Sequence, residues 1–506
     1  MKVGRRLFTL PLYPSALTAA FVLGIWLQSS LDAVPLLRPL AIALGASAVL
    51  TAVLVLLMRD RHRGGAVAGI ALFGILGGDD TRVPLLAAAS LAGVLLLVAR
   101  ERHFDRELPW SGLTRLMNLV TILLVVILVA RAAGSILGVA PSATASSERP
   151  SSLAARLPDV IVLLLDAHGR EDILADQYGE DVSGFLGALR DRGFYVSPRA
   201  RSNYMNTQLT LGSMFNMTHV SEINLPPQTA STYNVALRAS LDRNPAFAAL
   251  RASGYHVGAV SPGYEGVALR SADVFLDGGQ ASELESVLIA NSGLRHVVTA
   301  FAPDALANQA RERVLWNLEP DHWLPGVAPA STLARPYFLF VHVPSPHFPY
   351  LFDRTGGPVN DRPIVVTGRG TPSTRSPAEL DATADRYAAQ LAYVDGLAIE
   401  ALDETIAAVP PDAVIIVMGD HGPDAYIDWD HLETTPTLER FATLFAARTP
   451  GIDRLFGDAP TPVNLIPTLL NNYAGATLTT HSDNSFRGYP PRQALVDIGN
   501  PDEVAP

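Results

Sequence analysis

The sequence predicts an N-terminal α-helical membrane domain of about five spans, followed by an α/β domain built on a mainly parallel central sheet. Three observations predict it. Apolar residues are concentrated in the first 140 positions, in stretches near the length that crosses a bilayer. Further on, short continuous apolar runs alternate with helix-like segments, the pattern of strands covered on both faces. Between the halves, PSATASSERPSSLAARLP, residues 141 to 158, is rich in Ser, Ala and Pro and reads as a linker. The 506 residues therefore divide into a transmembrane domain (1–140), a linker (141–157), an extracytoplasmic domain (158–480) and a C-terminal tail (481–506).

The five apolar stretches run from Leu12 to Leu31, Leu40 to Met58, Gly64 to Gly78, Pro84 to Ala99 and Leu116 to Val139, the third and fourth being short. Lys2, Arg5 and Arg6, then Arg59, Arg61 and Arg63, then Arg100, Arg102, Arg106 and Arg115 fall in alternate connections, while the others offer only Arg38 and Arg82. Positive charge near span ends marks the cytoplasmic side. The N-terminus is thus expected inside and everything after the fifth stretch outside, in the multi-pass arrangement of a cytoplasmic-membrane protein. No small-residue cleavage site follows an isolated apolar core, so the first stretch reads as an anchor rather than a cleaved signal.

The net charge of −11 is distributed unevenly: residues 1 to 140 carry +6 and the remainder −17. An acidic exported part argues against nucleic acid as a partner, which calls for a basic footprint. The chain has no cysteine, which excludes disulfides, thiolate catalysis and thiolate metal ligands. About 366 residues remain outside, enough to bury a core without such staples.

In the exported part, DVIVLLLD (159–166) reads as the first strand, followed by a helical pattern through GFLGALRDRG and a strand in GFYVS (193–197). AFAALRASGYHVGAVSP gives a helix, a Gly stop and another strand, and YFLFVHV (337–343) a further one. DATADRYAAQLAYVDGLAIEALDETIAAV is a long helix leading into the strand of AVIIVMGDHG. Ligands in such sheets collect at the carboxyl ends of strands. Three of these strands end in acid-base or ligating residues: Asp166 with His168, His342 with His347, and Asp420 with His421.

An Asp and an adjacent His leaving one strand can both reach a cation just outside the sheet, the one through oxygen and the other through a ring nitrogen. Asp166 supplies a further ligand from a neighbouring strand. Such a metal polarises a phosphoryl or sulfuryl oxygen and lowers the pKa of a hydroxyl it binds. RSNYMNTQLTLGSM (201–214) offers that hydroxyl at Thr207, where a polar turn gives way to a helix start whose N–H groups stabilise anions. In the other reading, Thr207 or Asn206 caps that helix. HVPSPHFPY (342–350) presents His347 on a loop stiffened by Pro344, Pro346 and Pro349. His347 is placed to bind the phosphate, to donate a proton to the leaving group or to meet a second metal; His342, earlier in the strand, reads as a hydrogen-bonded structural residue.

Together, VIVLLLDAHGRED, SNYMNTQLTLGSMFNM, FVHVPSPHFPY and VIIVMGDHGPD resemble, in this order and over about residues 158 to 475, the alkaline phosphatase and sulfatase superfamily. The membrane layout resembles its lipoteichoic acid synthase and lipid A phosphoethanolamine transferase branches. The resemblance implies a sulfatase-like domain in which Asp166, Thr207, Asp420 and His421 hold one divalent metal ion (Mn, Zn, Mg or Ca). It implies that Thr207 becomes covalently phosphorylated, and that His347, with Asn203 and His342, faces the transferred group. Sulfatases of this superfamily convert a Cys or Ser in a Cys/Ser-x-Pro-x-Arg setting. Here GTPSTR (370–375) has Gly370 at the convertible place and lies too late in the chain. Asp172 and Asp424 are the carboxylates available for a second metal.

The expected function is transfer of a phospho-headgroup, of phosphoglycerol or phosphoethanolamine type, from a membrane lipid donor to an envelope glycan or lipid acceptor. Hydrolysis of a phosphate, phosphodiester or sulfate ester by the same mechanism is the alternative, and a non-catalytic envelope scaffold the second alternative. Few ionisable residues interrupt the apolar stretches, which argues against a transport pathway.

Overall fold

The computed structural model describes residues 10–29, 36–77, 82–104, 109–137, 157–223, 225, 233–359 and 375–503. Lys2, Arg5, Arg6, Arg106, the linker up to residue 156 and positions 370–374 of GTPSTR lie outside the described residues. The chain packs as two units, one of residues 1–143 with 281–306, the other of 144–280 with 307–506.

The first unit starts with five helices, α1 (Tyr13–Ser29), α2 (Leu37–Met58), α3 (Arg61–Leu76), α4 (Arg82–Phe104) and α5 (Trp110–Leu137). Two stretches, Leu37–Met58 and Trp110–Ala132, are long and apolar enough to cross a membrane; Tyr13–Leu27 and Leu86–Val98 are apolar but shorter. The five expected spans thus correspond to five helices, of which two meet the length and hydropathy of a span. Along α2 and α5 the apolar side chains point away from protein, Leu56 being 75% and Leu119 59% exposed, a surface that only lipid or another apolar partner covers at low cost. Polar side chains work inside the bundle. Asn118 of α5 accepts from the N–H groups of Leu12 and Tyr13 at 3.0 and 2.9 Å and donates to Leu10 at 2.8 Å, satisfying the start of α1. Asp60 caps α3 by accepting from His62 and Arg63.

The second unit opens with β1 (Val160–Leu165), α6 (Glu171–Tyr178), α7 (Ser183–Asp191), β2 (Tyr195–Val196), α8 (Thr207–Asn216), α9 (Tyr233–Asp242), α10 (Pro245–Ala252), β3 (His256–Val260) and β4 (Val274–Leu276). After Gln280 the chain rejoins the first unit as α11 (Glu283–Ala290) and α12 (Leu294–Phe301), and it leaves again along α13 (Ala305–Asn317). β5 (Tyr337–Val343), α14 (Pro377–Ala408), β6 (Val414–Met418), α15 (Leu438–Phe441), β7 (Phe445–Arg448), α16 (Leu465–Tyr473), β8 (Ser485–Arg487) and β9 (Val496–Gly499) complete the chain order.

Strands order as β2-β7-β6-β1-β5-β3-β4, with β8 and β9 forming a separate antiparallel pair. β6, β1, β5, β3 and β4 run parallel, and only β7 runs against its neighbours β6 and β2. β1 is central, Val160 pairing with Phe338 on one side and Val414 on the other. Its alternate residues feed two cores: Ile161, Leu163 and Leu165 pack with Leu174, Leu189, Tyr387 and Leu391, while Val160, Val162 and Leu164 pack with Met214, Phe215, Phe247 and Ile466. Covering on both faces is why the strand reads as an unbroken apolar run. The 481–503 segment packs back onto this unit: the Phe486 N–H donates to the Asn203 carbonyl at 2.8 Å, and Asp502 pairs with Arg170 at 2.6 Å.

Candidate active site

The strand order brings the carboxyl ends of β6, β1 and β5 side by side, so the residues just past these three strands share one edge of the sheet. Asp166 comes directly after β1. Ala167 next to it turns the chain with φ of 66°, a conformation that costs energy in a residue with a Cβ. Its N–H donates to Asp420 Oδ1 at 3.1 Å and its carbonyl accepts from Tyr387. Asp420 and His421 lie just beyond β6 between two glycines that allow backbones to touch: a Cβ at Gly419 would collide with the His168 carbonyl, and one at Gly422 with the carbonyls of Glu439 and Ala442.

Thr207 is the first residue of α8, and Asn206 is its cap, accepting from Leu209 N–H at 2.9 Å. With the cap supplied by Asn206, the Thr207 hydroxyl is left to point at His421 Nε2, 3.1 Å away. The His347 N–H donates to the Asp166 carbonyl at 2.9 Å, tying the proline-rich loop to the end of β1. Ligand atoms of Asp166, His347 and His421 all lie within 4.8 Å of one another. Asp420 Oδ2 is 3.2 Å and Asp166 Oδ1 3.6 Å from His421 Nε2.

A carbonyl fixes one ring nitrogen of each histidine. His421 Nδ1 lies 3.0 Å from the Gly422 carbonyl and His347 Nδ1 2.6 Å from that of Phe348; a carbonyl only accepts, so each Nδ1 carries a proton. Burial, then the charge of Arg440, pushes His421 well below its ordinary value and keeps it neutral. For Asp166 burial opposes ionisation, yet His347 and the hydrogen-bonded His342 beside it hold its carboxyl well below the usual range. Asp420 is pushed up to about 7 by burial and by the Asp166 charge: two carboxylates in one dry space need a cation between them to ionise together. Asp166 Oδ1 and Asp420 Oδ2 are buried without a hydrogen bond. Two orphaned carboxylate oxygens, a neutral imidazole lone pair and a hydroxyl converging on one point fit a divalent metal ion of oxygen and nitrogen preference.

Other expected residues sit differently. His342 is buried and donates from Nε2 to Asp166 Oδ2 at 3.1 Å, so it orients the carboxylate from behind. Asn203 accepts from Val463 N–H at 3.0 Å and donates to the Asn484 carbonyl at 2.9 Å; its side chain braces the turn before α8. His168 turns away to pair with the buried Asp395 at 3.0 Å. Asp172 is held by Arg170 at 2.8 Å and Asp424 lies 3.9 Å from Arg440, and neither joins the ligand group. Ser202 and Thr210 bond each other at 3.0 Å, and Ser213 donates to the Thr218 carbonyl.

Arg440 is the site residue that motif reading missed. Wholly buried, it donates to the Met205 and Gly422 carbonyls at 2.6 and 2.7 Å, and its Nη2 is 3.0 Å from His421 Nε2. It braces the turns before Thr207 and after His421 at once. PTLERFATLF contains no metal-ligand or nucleophile spacing, and nothing in it points to this place.

A protein-family model described as Sulfatase matches residues 158–473. The chain belongs to the sulfatase family. Among solved structures, this sulfatase-family chain is similar to the C-terminal periplasmic domain of EcEptC from Escherichia coli in complex with Zn, at TM-score 0.43 and 13% identity, over 72% of this chain and 98% of that one. It is also similar to the soluble domain of lipooligosaccharide phosphoethanolamine transferase A from Neisseria meningitidis (TM-score 0.36, 13% identity, 65% and 90% of the chains). Lipoteichoic acid synthase LtaP from Listeria monocytogenes is a third (TM-score 0.37, 13% identity, 69% and 79%). A search of curated protein sequences finds no match.

Proposed function

We propose that this sulfatase-family protein is a metal-dependent, membrane-anchored transferase that carries a phospho-headgroup, of phosphoglycerol or phosphoethanolamine type, on Thr207 from a lipid to an envelope glycan or lipid. One observation carries the reading: a threonine hydroxyl, at a helix start and free of capping duty, sits 3.1 Å from a neutral imidazole beside two orphaned carboxylate oxygens. A chain without cysteine whose buried nucleophile is threonine has no route to the formylglycine of ordinary sulfatases.

Asp166, Asp420, His421 and the Thr207 hydroxyl would hold one divalent ion; when bound it supplies Lewis acidity, lowering the hydroxyl pKa and drawing charge from a phosphoryl oxygen. Thr207, its pKa lowered, loses its hydroxyl proton to solvent; its Oγ then attacks the phosphorus of the lipid phosphodiester, the Oγ–P bond forms and the bond to the diacylglycerol oxygen breaks. The α8 N-terminus stabilises the anion. His347, beyond the neighbouring β5, acts as the imidazolium and gives the departing alkoxide its Nε2 proton. An acceptor hydroxyl, losing its proton to the same nitrogen, then takes the group and frees Thr207. The apolar helices of the first unit keep such a site near lipid at high effective concentration.

The test is the intact mass of the full chain in nanodiscs, incubated with Mn or Zn and mixed phospholipid, beside Thr207→Ala. An adduct on the wild type alone, whose mass names the headgroup, supports the reading. Headgroup release with water as the only acceptor, equally fast with envelope extract present, replaces transfer by hydrolysis. No adduct and no release despite bound metal removes the covalent mechanism.

A further inference from the structure

The excursion of residues 281–306 into the first unit carries a helix whose apolar side the described residues cover only in part, Leu294 and Val298 being half-buried and Val297 and Phe301 exposed. In α12, Leu294, Val297, Val298 and Phe301 stand at i, i+3, i+4 and i+7, one stripe, while Arg295, His296 and Thr299 occupy the opposite arc. None of its eight residues is buried; Phe301 is 85% and Val297 47% exposed. A stripe built to be covered is here left half bare by the described residues.

Three contacts fix the level at which this segment meets the bundle. Leu284 and Leu288 of α11 are buried with Val22, Leu23 and Trp26, near the C-terminal end of α1. Glu285 takes both an Nε and an Nη2 hydrogen bond from Arg38, at the start of α2. The Gly293 N–H, one residue before α12, donates to the carbonyl of Ile75 at the end of α3, 2.7 Å away. These are the ends of α1, α2 and α3 remote from Arg59, Arg61 and Arg63, hence the ends on the extracytoplasmic side.

We propose that α12 is an interfacial anchor: it lies in the outer leaflet with its Leu294, Val297, Val298 and Phe301 stripe among acyl chains and Arg295, His296 and Thr299 toward headgroups and water. The occupant is lipid because the bare stripe belongs to the same packed unit as the exposed apolar surfaces of α2 and α5, and begins where their membrane-spanning parts end. A polar arc carrying Arg beside an apolar arc carrying Phe is the composition of a helix lying in a membrane surface. The inference rests on the reading of the first unit as membrane-embedded.

The absence of native cysteine gives a clean test. Single variants Val297→Cys, Phe301→Cys and Thr299→Cys carry a nitroxide in the full chain in nanodiscs, with Val126→Cys on the exposed side of α5 as reference. Collision with oxygen and with a water-soluble nickel chelate is measured for each. The expected result is that labels at 297 and 301 meet oxygen and are shielded from nickel, as at 126, while 299 meets nickel. Labels at 297 and 301 as open to nickel as 299, with 126 still in lipid, overturn the anchor and leave the membrane reading standing. Shielding of 297 and 301 from both reagents overturns it in favour of a protein partner. Nickel access at 126 overturns it through its premise, and adduct formation on Thr207 is scored separately.

Discussion

At the scale of single residues, the site turns on which groups are left without a local duty. Thr207 is free because Asn206 does the capping, so Thr207→Ala is expected to fold and to bind metal while turnover falls about ten-thousand-fold or more. Metal content, melting and headgroup release, measured together, check it; retained turnover would shift the nucleophile to another hydroxyl. Glu439 behaves differently. Burial pushes it up to about 7 against the pull of Tyr178, which donates to it. The folded chain holds that proton more tightly than the unfolded chain, so the stability it contributes is full below about pH 4.5 and is lost as pH rises through about 7. Melts of wild type and Glu439→Gln in one detergent are therefore expected to coincide near pH 5 and to separate by pH 8, where the wild type falls behind by up to about 3 kcal/mol. Parallel curves would contradict the assignment.

At the scale of elements, adjacency does what sequence separation hides. Asp166, His347 and Asp420 with His421 were legible as strand-end residues because β1, β5 and β6 are continuous apolar runs, and runs covered on both faces predict themselves. The strands of two to four residues, β2 aside, carried no such signal: Val274–Leu276 and Phe445–Arg448 are made by tertiary packing. His342 reads from its place in the strand as a hydrogen-bonded residue and does bond Asp166, whereas Asn203 shows the limit of motif reading, lying within a telling segment yet bracing the turn before α8. Arg440 shows the converse, a residue central in space with no local pattern. The Gly422 contact with α15 is the most brittle joint of these elements. Gly422→Ala is expected to cost about 1–3 kcal/mol by overpacking and to lower metal content with it, because His421 is the preceding residue; full metal content in a destabilised variant would separate the two effects.

At the scale of the whole molecule, division at a single linker is too simple a picture. The chain passes between its two packed units after residues 143, 280 and 306, and the excursion was invisible in sequence because two eight-residue helices resemble any pair of surface helices of an α/β domain. A protease site placed within residues 141–157 and cut in intact membranes is therefore expected to leave the catalytic fragment in the membrane pellet. Leu284→Asp and Leu288→Asp, which remove the apolar contact with Trp26, combined with Val297→Asp and Phe301→Asp in the exposed stripe of α12, are expected to let the cut fragment wash off. Release of the unaltered fragment by the cut alone would refute the packing of 281–306 with the bundle.

The same excursion sets an order in time. Trp26, Val22 and Leu23 are synthesised first, yet the residues that complete their packing, Leu284 and Leu288, come some 260 positions later. The packing of the bundle must therefore wait until β1 to β4 and the residues after them have been synthesised. Under the proposed topology, the bundle can close only after the first part of the catalytic chain, β1 to β4, has crossed, and before β5 to β7 have been made.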